Sequence, residues 1–158
     1  MVQLGGPKYH PEAVVQNCFI HTPIYGAETN RKCIIYFHGG GIILGTAENY
    51  RNIASKLAFY TNCLIINCNY RLCPEVKFPL PVYDAYAIVK NILEQIESLN
   101  LDPDKIILMG ESAAAGLIVA VAQEMIKRDE IHLIRMLMAT SIFGDHLVSG
   151  EIPYSEWT

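Results

Sequence analysis

Two short stretches carry residue types that do chemistry together. Gly110-Glu111-Ser112-Ala113-Ala114 begins like the sharp strand-to-helix turn that lifts a serine hydroxyl above a sheet, with Ala114 where the last glycine of that turn belongs. His38-Gly39-Gly40-Gly41 is a glycine run in which backbone N–H groups can converge on one point, as a developing oxyanion requires. A serine oxygen beside converging amides is apparatus for acyl transfer. Each motif alone has a plainer explanation, since a serine opening a helix is a common cap and three glycines are a common turn. The two in this order, about 70 residues apart and each after an apolar run, are far more specific.

A serine nucleophile also needs a general base oriented by a carboxylate, and in this kind of sheet both follow the serine, acid before histidine. After Ser112 the histidines are His132 and His146. His132 precedes the last expected strand, at the end of the sheet away from the turn, which predicts a surface position. Asp145 and His146 follow that strand at the correct edge and are the acid and base candidates of the chain. Adjacent side chains diverge, so they make a poor pair, and a loop or capping role is the plainer reading of Asp145. His10 and His21 precede the glycine run and are expected to be exposed.

Positioning these groups takes strands ending at both turns. Cys33 to Phe37 and Cys63 to Cys68 are apolar runs that read as strands buried on both faces. Val14 to Thr22 alternates and reads as another strand. Thr46 is an expected N-cap for a helix through Tyr50, Ile53, Ala54 and Leu57. After the proline-rich loop Pro74 to Pro81, Val82, Ala85, Val89, Ile92, Leu93 and Ile96 mark one face of a long helix. Asp102-Pro103-Asp104 is an expected turn into a strand over Lys105 to Met109, followed by a helix from Ala113 to Lys127 and a strand from Leu133 to Thr140. Strands alternating with helices predict an α/β fold, a mostly parallel sheet with helices on both faces. Without repeats or linkers, residues 1–158 read as one domain.

Three ordered segments resemble the hormone-sensitive-lipase-like family of α/β-hydrolases: IIYFHGGGIILGT, YRLCPEVKFPLPVYDAY and DPDKIILMGESAA. In the second, Tyr70, Arg71, Pro74, Glu75, Pro79 and Asp84 fall in matching places, and Arg71, Glu75 and Asp84 read as a polar network supporting the loop. The resemblance implies Ser112 as nucleophile, Gly40, Gly41 and Ala113 as oxyanion donors, and His38 as a residue shaping that loop rather than a base. It implies hydrolysis of short-chain carboxylic esters through an acyl-serine, with no cofactor. The family pattern has glycine at 114 and 115, so the alanines predict local strain. Its acid and histidine lie after later strands, so the chain reads as a truncated hydrolase, incomplete on the C-terminal side and without the N-terminal cap. The expectations that follow are a weak or inactive isolated chain, a binding module, or one half of a split esterase.

The bulk composition narrows the partners. With 51% hydrophobic and 18% charged residues and a formal charge of −4, the chain lacks the basic stripe that nucleic acid requires. Five cysteines without C-x-x-C spacing argue against a disulfide scaffold or a metal site and for a reducing, cytoplasmic setting. Ile106 to Ala122 is apolar but reads as strand, turn and helix rather than a membrane span. Tyr83, Tyr86, Tyr154 and Trp157 are candidates to line an acyl pocket, with core packing the plainer role for helical aromatics. A last strand left as an exposed edge predicts self-association.

Overall fold

A computed structural model describes residues 1–25 and 29–140. It contains strands β1 (Val2–Gly5), β2 (Val15–His21), β3 (Arg31–Phe37), β4 (Leu64–Cys68), β5 (Leu101–Glu111) and β6 (Met136–Thr140). The helices are α1 (Arg51–Thr61), α2 (Leu80–Glu94) and α3 (Ala113–Lys127), with a 3-10 turn at Ile131–Leu133. The strands form one sheet in the order β1-β2-β4-β3-β5-β6. β4, β3, β5 and β6 run parallel, while β1 and β2 add an antiparallel edge.

The alternation along β3 and β4 explains why both read as continuous apolar runs. Cys33, Ile35 and Phe37 with Leu64, Ile66 and Cys68 point to the face covered by α2 and α3, where the larger core lies. Ile34, Tyr36 and Ile65 point to the other face and pack on Ala54 and Ala58 of α1. Helices therefore cover both faces, as the alternation of elements predicts. α3 occupies the expected span.

Several local expectations change. Asp102 to Lys105 do not form a separate turn; they lie within β5 as a bulge, because Arg31 and Cys33, two apart on β3, face Leu101 and Ile106. The Asp102 carboxylate holds that bulge by accepting from the Asp104 N–H at 2.9 Å. Thr46 caps the turn that leads into α1, its hydroxyl accepting from the Asn49 N–H, but the helix itself starts at Arg51. Ile53 is exposed, so α1 buries the alanine stripe instead. α2 is buried well beyond one stripe, including Tyr86, Ala87 and Ile88, because α3 packs against it as well as the sheet, β1 included. The last strand starts three residues later than expected, after the 3-10 turn, and β1 has no counterpart in the sequence reading.

Candidate active site

Phe37 and Gly110 are paired across the β3–β5 ladder, so the chain leaves both strands at the same rim of the sheet. The His38–Gly41 turn and the Gly110–Ala113 turn are thus neighbours by register. Their approach is close: a Cβ built on Gly39 would lie 3.1 Å from the Glu111 carbonyl oxygen and 3.2 Å from the Ser112 Cβ. Glycine at 39 is what lets the two turns meet.

Ser112 has φ 54° and ψ −123°, a backbone conformation that costs a non-glycine residue of order 1–3 kcal/mol. Its N–H donates to the Thr140 carbonyl at 2.8 Å, and its own carbonyl accepts from the Ala115 N–H, starting α3. This strained link turns the strand into the helix within one residue. The tight approach between them falls at Gly110, where a Cβ would sit 2.2 Å from the Ala114 carbonyl oxygen. The position of the motif that demands glycine is thus 110; at the two positions where alanines were expected to strain the turn, the Ala114 methyl lies in the larger core and Ala115 is fully buried.

Gly40 and Gly41 both hold positive φ, 120° and 70°. A side chain at 40 is impossible, since its Cβ would fall 2.0 Å from the Leu44 carbonyl oxygen. The Gly40 carbonyl turns away to accept from Ile43 and Leu44, leaving the peptide N–H groups on the other side of the loop. The N–H groups of Gly40, Gly41 and Ala113 have no acceptor among the described residues. Backbone N–H groups without a protein acceptor are the kind of donor an anionic oxygen takes.

His38 is fully buried between the rings of Tyr50 and Tyr70, with centroids 5.3 and 4.8 Å away. Burial lowers its pKa, partly opposed by its hydrogen bond to Gly39 and by the Glu111 charge. In the neutral ring Nδ1–H donates to the Gly39 carbonyl at 2.8 Å, while Nε2 is buried without a partner among the described residues. The Tyr70 hydroxyl clamps the same turn, donating to the His38 carbonyl at 2.7 Å. His38 is thus committed to the loop. Tyr36 donates to the Glu111 carboxylate at 2.5 Å, fixing the residue before Ser112 from beneath; burial first, then this bond, raises the Tyr36 pKa. Neither Tyr36 nor Glu111 was singled out from the sequence. Their contact crosses two strands and leaves no local signal.

Asp84 is buried away from the turn and accepts five hydrogen bonds: from the Val14 N–H, the Gln16 amide, the Arg71 N–H and two guanidinium nitrogens of Arg71. The bond to Asp84 holds the Arg71 pKa up. This clasp joins α2, β2 and the loop after Tyr70. Glu75 is exposed and takes no part in it. His132 is exposed at the far end of β6, as expected, whereas His10 and His21 are half-buried, His10 stacked on Tyr83 and His21 bonded to Ser55. Asp145, His146, Tyr154 and Trp157 lie outside the described residues.

Beside Ala113 opens an apolar cavity of about 210 Å³, lined in part by Ile42, Cys73, Phe78, Gly116 and Leu117. Tyr83 and Tyr86 do not line it; the Tyr86 hydroxyl instead donates to Glu130 from within the core. The five cysteines are free thiols, and burial pushes Cys33 up to about 12. Among the described residues no cluster of His, Cys, Asp and Glu is arranged to hold a metal ion, and no helix is long and apolar enough to cross a membrane.

A family profile described as alpha/beta hydrolase fold matches residues 34–149. An arylacetamide deacetylase from Oryctolagus cuniculus is 32% identical over 72% of this chain and 30% of its own length. An arylesterase from Saccharolobus solfataricus is 37% identical over 65% of this chain and 33% of its own. A solved esterase from Pyrobaculum calidifontis superposes with a TM-score of 0.77 at 27% identity, covering 87% of this chain and 43% of the esterase. The chain belongs to the α/β-hydrolases, in their hormone-sensitive-lipase-like family. It spans about a third of the length of the curated relatives it matches.

Proposed function

We propose that the chain supplies the nucleophile and oxyanion hole of a serine carboxylic ester hydrolase. The observation that carries this reading is the meeting of two turns at one rim, the strained Ser112 turn in near contact with Gly39, while the N–H groups of Gly40, Gly41 and Ala113 have no acceptor among the described residues. The names of the relatives, an arylesterase and an arylacetamide deacetylase, agree with acyl transfer from small ester or amide substrates.

In the proposed reaction the Ser112 oxygen forms a bond to the ester carbonyl carbon as its proton passes to a base. The carbonyl oxygen takes the negative charge against the N–H groups of Gly40, Gly41 and Ala113. Collapse breaks the carbon–oxygen bond to the alcohol, which leaves with a proton. Water then releases the carboxylic acid from the acyl-serine, with no redox partner needed. Among the described residues no histidine reaches Ser112, since His38 is held in its loop and His132 lies at the far end of β6. The base therefore comes from outside them, and Asp145 and His146 are the remaining candidates of the chain.

The test is hydrolysis of p-nitrophenyl acetate by the chain and by Ser112→Ala, with and without added imidazole as an external base. The reading predicts a rate above buffer that requires Ser112, with imidazole raising it wherever the internal base is lacking. Equal rates for the two proteins under both conditions would contradict it.

A further inference from the structure

Gly116 sits one helical turn beyond Ala113, on the face of α3 that borders the apolar cavity. Its backbone is ordinary helix with no positive φ, so nothing local demands glycine there. A glycine inside a helix costs stability relative to alanine. What the missing side chain provides is space: a Cβ built at 116 meets no heavy atom of the described residues within 4 Å, the helix's own backbone aside. Ala120, one turn further, keeps the same wall low. The opposite wall is Ile42, next to Gly41, together with Phe78.

The cavity thus begins at the two places that flank the unpaired amides, Ile42 after Gly41 and Ala113 itself. An ester carbonyl held by those amides would have its substituents close to Ile42 and Ala113, two of the residues that line the cavity. At about 210 Å³ the space exceeds the roughly 150 Å³ apolar cavity known to hold benzene in another protein. Among the described residues the walls offer no charged or hydroxyl side chain to a polar group. A flat ring or a short branched chain is the chemistry it fits.

We propose that Gly116 sets the size of the apolar group the site accepts, by leaving open the wall of α3 against which a ring-sized substituent packs. This rests on the reading of Ser112 as nucleophile for its place in a reaction, but not for the binding itself. Leucine at 116 would project a side chain into the space the ring needs, while alanine would leave most of it free.

Toluene serves as the probe, titrated into the uniformly 15N-labelled chain and followed by amide shifts. The expected result is saturable shifts at Ala113, Gly116 and Leu117, unchanged in Ser112→Ala and Gly116→Ala, and binding weakened by about tenfold or more in Gly116→Leu. Ala120→Leu fills the same cavity from the next turn and is expected to act likewise, which decides the matter should Gly116→Leu lose its dispersed spectrum. Toluene binding Gly116→Leu or a folded Ala120→Leu as it binds the parent, or shifting amides away from the cavity, would overturn the proposal. A second arm compares labelling by benzyl and methyl fluorophosphonates with imidazole present; the benzyl-to-methyl rate ratio should fall about tenfold in Gly116→Leu. An unchanged ratio would overturn the proposal, whereas no labelling of Ser112 by either probe would refute the nucleophile reading and leave the toluene result to decide the role of Gly116.

Discussion

Gly110 and Gly116 bracket the same serine and do opposite things. At Gly110 a methyl would press on the backbone of Ala114, with 2.2 Å to its carbonyl oxygen, and backbone cannot swing aside as a side-chain tip can. Gly110→Ala should therefore lower unfolding stability by about 1–3 kcal/mol. At Gly116 the added methyl meets open space in an ordinary helix, so Gly116→Ala should raise stability by about 0.4–1 kcal/mol through the unfolded chain. Urea unfolding of the two variants checks both signs. Ser112 and the glycine run were legible in the sequence because a strained turn advertises itself through consecutive residues. The cavity was not, since Ile42, the pair Cys73 and Phe78, and Gly116 come from three separate segments and their meeting depends on how the loop after Tyr70 lies over α3.

Among the elements, the Asp84 clasp shows how a buried charge fixes position. The carboxylate is fully buried and binds Arg71 through two guanidinium nitrogens at 2.7 and 2.8 Å, while also receiving backbone N–H groups from β2's approach and from Arg71 itself. Asp84→Asn removes the charge, leaves the Arg71 guanidinium uncompensated and replaces an acceptor with a donor facing other donors. Chemical denaturation should show a loss of about 3–5 kcal/mol, and a loss below 1 would mean that the clasp is dispensable. The sequence pointed to Arg71 and Asp84 as a network, but it grouped Glu75 with them because spacing alone does not tell which acid faces inward. Likewise the alternation along β3 to β5 disclosed the central parallel strands, whereas β1 is short, glycine-flanked and defined by its pairing with β2. The bulge in β5 shares its residues with an ordinary Asp-Pro-Asp turn, and only the facing strand shows that pairing resumes on both sides.

At the scale of the whole molecule, the sheet places its two bends at the C-terminal ends of β3 and β5, neighbours in the order of strands. Among the described residues β6 is the edge beyond them, and its Met136, Leu137 and Met138 are exposed. A parallel edge strand with apolar side chains favours pairing with a second copy. Gel filtration with light scattering should find concentration-dependent dimers, and Leu137→Lys should shift the population to monomer; a parent chain that stays monomeric at every concentration would contradict this.

In the proposed reaction the Ser112 hydroxyl stands against the amides of residues 40, 41 and 113 as a reactive nucleophile. Incubation with an alkyl fluorophosphonate in the presence of imidazole, followed by intact-mass and peptide mapping, addresses it directly. The account predicts one phosphonate per chain, carried by Ser112 and absent from Ser112→Ala. An unmodified Ser112, or an adduct elsewhere that survives the substitution, would contradict it.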